Sequence, residues 1–261
     1  MRTTTQEIVA GPARLCVSVG AGNGPTIVLL PGMARPASDL HPFAGFLGMA
    51  GYRIVQPDPR GIDGSSGPLE GITLHDLAAD IAAVIEAVGG APAVIIGHAF
   101  GNRVARCVAA DRPDLVRAVV LLSSSGKVQP SAEIAEAIRL AQDASTPRAA
   151  RREAARKAWF GPGRDVSIWL DGWVEPVRRA QTAAAAATDV ADWWTAGCAQ
   201  VLIVQGLADV SALPANGRLL KEEIGDRATL VELEGIGHAV PIEDPQVVAN
   251  VVLEWLRNQP G

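Results

Sequence analysis

Cysteines, basic charge and long apolar runs are all scarce in this 261-residue chain, and each shortage excludes something. Cys16, Cys107 and Cys198 are odd in number, widely spaced and without metal-like pairing. That pattern rules out a disulfide framework and reads as free thiols in a reducing cytoplasm. No apolar run approaches the roughly 18 residues of a membrane-spanning helix. The opening MRTTTQEIVAGPARL has no apolar core of the secretory kind, so no leader is expected. With 23 Lys and Arg against 28 Asp and Glu, the net charge is −5. The concentrated basic surface that phosphate binding demands is missing, so nucleic acid is not an expected partner. No G-x-G-x-x-G follows a first strand, and neither a Walker loop nor a metal-ligand cluster occurs, so no cofactor and no metal are expected. What remains is a globular cytoplasmic protein, monomer or homodimer, whose partner is a small-molecule substrate.

The most informative stretch is Ala93 to Arg106, AVIIGHAFGNRVAR. Four apolar residues, Ala93 to Ile96, lead into Gly97-His98-Ala99-Phe100-Gly101, and a helical pattern begins at once. This reads as buried strand, sharp turn, then helix. The glycines flank a residue in a strained conformation and let strand and helix pack closely. The frame is the G-x-S-x-G nucleophile elbow, with one further absence: the serine position holds Ala99. A methyl group cannot attack a carbonyl, so covalent catalysis from this position is impossible in the chain as written. Cys107 is no substitute, because it lies eight residues on, about two helical turns down.

On these residues the chain resembles the α/β-hydrolase family. The resemblance implies an α/β fold: a mostly parallel twisted sheet of about eight strands flanked by helices, with a small helical cap. Residues 1–126 and 198–261 would form the core, and 127–197 the cap. It also implies that the loop after the third strand supplies an oxyanion N–H. Here that loop is Pro31-Gly32-Met33; proline has no N–H, so Met33 is the expected donor, paired with Phe100 after the elbow.

The rest of the pattern supports this layout. Gln6–Ala10 and Ala13–Val19 read as a hairpin around Gly11-Pro12, and Thr26–Leu30 as a buried strand. A helix from about Ser38 to Ala50 has Ser38 or Asp39 as its expected cap. Tyr52–Gln56 is a strand, and in the following DPRGIDGS loop Asp58 and Arg60 are expected to pair with each other. Thr73 caps a helix reaching Val88, Val116–Leu122 is another buried strand, and Val201–Gln205 and Thr229–Leu233 complete the sheet. A closing helix spans about Pro245 to Arg257.

Between Lys127 and Gly197 there are only helical stretches, at 131–144, 147–160 and 174–188. Five of the six tryptophans fall here: Trp159, Trp169, Trp173, Trp193 and Trp194. Trp159, Trp173 and Trp194 are expected at the ligand, with Gly32, His98 and Ser124; gluing the cap to the core is the alternative for the tryptophans. The basic run Arg148, Arg151, Arg152, Arg156 and Lys157 reads as a solvated helix face.

Asp209 in G-L-A-D and His238 in G-x-G-H stand after the last two strands, at the sheet edge that carries the elbow. Elbow, acid, histidine is the order of the resembled family. In such a triad the histidine takes the nucleophile's proton and the carboxylate fixes its tautomer. Two readings of Ala99 follow. One is a hydrolase of a small, moderately apolar ester or lactone whose nucleophile has been replaced. The other takes alanine as native, with His238 as general base in a non-covalent hydrolase, lyase, isomerase or cyclase, or with binding and no chemistry.

Overall fold

The computed structural model describes residues 3–259. Its single sheet has the order β1-β2-β4-β3-β5-β6-β7-β8. The strands are β1 (Thr3–Ala10), β2 (Ala13–Gly20), β3 (Thr26–Leu30), β4 (Arg53–Pro57), β5 (Ala93–His98), β6 (Val116–Leu122), β7 (Gln200–Gly206) and β8 (Ala228–Leu233). β1 and β2 form the antiparallel hairpin and β2 runs antiparallel to β4. From β4 to β8 every neighbouring pair is parallel.

The central strands read as unbroken apolar runs because both their faces are covered. Alternate residues feed two cores. Val28, Leu30, Ile95, Val119, Leu121 and Ile203 face one cluster, which also holds residues of α2 (Leu74–Ala87), α3 (Phe100–Asp111) and α8 (Pro214–Ile224). Ile27, Leu29, Val94, Ile96, Val120 and Leu202 face the other, shared with α1 (His41–Met49) and α10 (Pro245–Arg257). α2 starts with a full capping box, Thr73 and Asp76 each bonding the other's backbone N–H.

Two local expectations need correction. Neither Ser38 nor Asp39 caps α1: a 3-10 turn over Ala37–Leu40 precedes it, and Arg35 and the Trp169 indole engage the Asp39 carboxylate. Asp58 and Arg60 do not pair either. Arg60 makes a two-pronged bond to the buried Asp80, at 2.7 and 2.9 Å, while Asp58 accepts the Ala37 N–H. The two-pronged, buried pairing with Asp80 gives the guanidinium fork both carboxylate oxygens at once.

The segment between β6 and β7 is helical: α4 (Ala132–Gln142), α5 (Arg148–Trp159), α6 (Glu175–Ala186) and α7 (Val190–Trp193). α4 and α5 build a separate apolar cluster around Trp159, Trp169 and Leu170. Ala180 and Ala184 of α6, with Trp193 and Trp194, instead join the main core. On α5, Arg148, Arg156 and Lys157 hold surface ion pairs as a solvated face should. Arg151 departs from that face: it is buried and donates to the Ala141 and Leu170 carbonyls. Among the described residues no helix is long and apolar enough to cross a membrane.

Candidate active site

At the carboxyl end of β5 the chain turns through Ala99 at φ 49°, ψ −108°, and α3 begins with Phe100. Ala99 is thus a non-glycine residue with positive φ, a conformation that costs about 1–3 kcal/mol and is typical of functional turns. Gly97 and Gly101 permit it. A Cβ on Gly97 would collide with the Gly101 backbone, and one on Gly101 with the Leu30 and Pro31 carbonyls. The Ala99 N–H is anchored on the Leu122 carbonyl at 3.0 Å.

His238 faces the elbow from the loop after β8. Its Nδ1 donates to Asp209 Oδ2 at 2.9 Å. Asp209, buried after β7, is itself fixed: Oδ1 accepts the Ser211 and Ala212 N–H groups at 2.9 and 2.7 Å, and the Gln205 amide reaches Oδ2 at 3.3 Å. A carboxylate accepts only, so Nδ1 carries a proton, and in the neutral ring Nε2 is then the acceptor. Nε2 has no protein partner among the described residues, and His238 lines a cavity of about 220 Å³ together with Ala99.

Gly32, Met33, Phe100, Trp159 and Trp173 line that same cavity. Phe100, as the first residue of α3, has an N–H outside the helical ladder, and no bond is made by the Met33 N–H within the described residues. Trp159 and Trp173 stack at 4.8 Å, with Trp169 edge-on to both. Trp169, one of the five tryptophans between β6 and β7, is a lining residue that the sequence did not single out.

Three expected ligand residues lie elsewhere. Trp194 is a core residue: it packs beneath the Arg106 guanidinium, and its indole donates to Glu223 at 2.6 Å. Ser124 is fully buried, its N–H on Gln205 Oε1. His98 sits behind the elbow and donates from Nε2 to the His238 carbonyl at 2.9 Å. Burial, reinforced by the neighbouring His238, pushes the His98 pKa down to about 3, so it is a neutral strut.

Sequence reasoning also missed two cavity arginines, Arg35 and Arg103. Arg103 had a legible signal, standing four residues after Ala99 and so one turn along the same helix face. Cys107, by contrast, is buried against His75 and Asp111 and lies outside the lining. Burial drives its thiol pKa well up, as expected for a core cysteine.

The family model described as alpha/beta hydrolase fold matches residues 25–167, more than half of the chain. The chain belongs to the α/β-hydrolase family. Among solved structures it is similar to Rv0554 from Mycobacterium tuberculosis, with a TM-score of 0.84 at 24% identity, covering 99% of this chain and 100% of that one. The esterase EaEST from Exiguobacterium antarcticum superposes with a TM-score of 0.81 at 18% identity, covering 98% and 100%. In sequence it is similar to BpoC of M. tuberculosis, a non-heme bromoperoxidase by name, 35% identical over 109 residues, or 41% of each chain. The chain thus spans less than half the length of that curated relative.

Proposed function

We propose that this protein hydrolyses a small, moderately apolar carboxylic ester or lactone, with His238 as general base on water and no acyl-enzyme. The observation that carries the reading is the His238 imidazole: its Nδ1 is tied to a buried carboxylate and its Nε2 is open to a tryptophan-walled cavity beside the elbow.

The steps follow from that arrangement. Nε2 removes a proton from a water that attacks the carbonyl carbon, and Asp209 stabilises the imidazolium. The Met33 and Phe100 N–H groups receive the developing oxyanion. His238 then returns the proton to the leaving alkoxide as the C–O bond breaks, giving acid and alcohol. Ala99 supplies no nucleophile, so the rate is that of a site working without its covalent route. The strained backbone at Ala99 favours descent from a covalent hydrolase, since an alanine gains nothing by being presented so sharply. The esterase relative agrees with ester chemistry.

The test is hydrolysis of p-nitrophenyl acetate at neutral pH by the chain, by Ala99→Ser and by His238→Ala. Slow turnover that His238→Ala abolishes and Ala99→Ser raises by orders of magnitude is the expected result. A serine variant no faster than the parent, with His238→Ala unchanged, would sink the reading and leave ligand binding without chemistry.

A further inference from the structure

The two arginines of the cavity differ in how they are neutralised. Arg35 spends its fork on Asp39 at 2.6 and 2.9 Å and lies over Trp173. Its charge is answered within the protein. Arg103 has no such partner. Its Nε donates to Ser125 Oγ at 3.3 Å, and its guanidinium lies 5.9 Å from the Trp193 ring. Among the described residues no carboxylate comes within ion-pair distance, and the terminal N–H groups have no acceptor.

The surroundings deepen the imbalance. Arg106, one turn further along α3, is fully buried and held only by neutral groups: the Asn102 backbone and side-chain oxygens and the Ser125 and Trp194 carbonyls. The cavity lining contains no aspartate or glutamate. Arg103 stands at the end of the first turn of α3, where the helix dipole adds further positive potential. A partly desolvated cation without a counter-charge is costly unless its ligand brings one.

We propose that Arg103 selects substrates carrying a carboxylate, so that the preferred ester or lactone is a half-ester of a short dicarboxylic acid or its cyclic equivalent. This rests on reading the cavity as the substrate site. The guanidinium belongs to a residue four positions past the elbow, about 6 Å along the helix axis. Arg103, Ala99 and His238 line one cavity of about 220 Å³, and so small a space admits only a short spacer between the carboxylate and the reacting carbonyl. A planar fork matches a carboxylate in two-pronged fashion, which makes Arg103 a specificity-determining residue.

Calorimetric binding of monoethyl glutarate and diethyl glutarate to the chain as it stands tests this without needing turnover. The half-ester is expected to bind at least tenfold tighter than the neutral diester, more weakly as salt rises. Arg103→Met should abolish that preference, and Arg103→Lys should keep part of it. Equal affinity of the unaltered protein for the two esters would overturn the proposal, and needs no variant to fold. So would a half-ester preference that survives in Arg103→Met. If the half-ester binds selectively yet Ala99→Ser hydrolyses no aryl ester, the hydrolase reading fails while the assignment of Arg103 stands.

Discussion

The backbone N–H of His238 donates to the carbonyl of Trp159 at 2.7 Å, so this histidine is fastened to the last residue of α5. Ala239 N–H reaches the same oxygen at 3.0 Å, and Ser211 Oγ, from the Asp209 loop, donates to the Ala158 carbonyl at 2.6 Å. These donors satisfy carbonyls that a helix C-terminus leaves unpaired. Glu243 closes the clasp, taking the Gly161 and Gly237 N–H groups at 2.8 and 2.9 Å. The Asp209 and His238 loops and the C-terminal end of α5 therefore form one unit.

Gly237→Ala attacks that unit directly. Its Cβ would stand 2.6 Å from Gly161 N, 2.7 Å from Phe160 C and 2.8 Å from Trp159 O, all backbone atoms that cannot rotate away. The expected cost is about 2 kcal/mol or more in urea unfolding. In the Ala99→Ser background, esterase activity should fall further than the stability loss explains, because His238 shifts with the clasp.

Asp209→Asn keeps the shape and removes the acceptor that fixes the Nδ1–H tautomer. In Ala99→Ser, kcat/KM for an aryl ester should drop by about three to four orders of magnitude with little change in Tm. A loss under tenfold would show that Asp209 does not orient the base.

Arg60 and Asp80 are both buried and answer each other. Asp80→Ala strands the guanidinium and should cost about 3–5 kcal/mol, read from denaturant midpoints. Replacing both, as Arg60→Met with Asp80→Leu, should recover most of that loss.

Acid stability should expose two opposed groups. His98 has a pKa near 3 in the fold against an ordinary 6.5, so its contribution is present above pH 6.5 and is lost as pH falls toward 3. Burial raises the Asp58 pKa from 3.8 to about 6, so its contribution is full below 3.8 and is lost as pH rises through 6. Between about pH 4 and 6 the two slopes oppose each other. Relative to the unaltered chain, Asp58→Asn should lose stability more steeply as pH falls through that window, by about one proton. His98→Gln should change the slope in the opposite sense. Unfolding free energies at several pH values check both.

Sheet, elbow and acid–histidine order were legible because each rests on local pattern: unbroken apolar runs, flanking glycines, loop positions after strands. Helix α10 has the bounds its stripe predicts, Pro245–Arg257. Partnerships across the chain were not legible. Arg60 finds Asp80 twenty residues on, and Trp194 finds Glu223 on α8, a helix whose own stripe buries few large residues. Periodicity tells which face of an element is covered but not by what, so Trp173 and Trp194 looked equivalent until packing placed one at the cavity and the other in the core.

The backbone at Ala99 has an evolutionary consequence. Its left-handed conformation is already permitted by Gly97 and Gly101 and held by the bond to Leu122, so a serine there would inherit a backbone that is set in advance. Any alanine codon becomes a serine codon by one base change. If the proposed function holds, a population under selection for ester cleavage would meet that codon among its earliest useful variants.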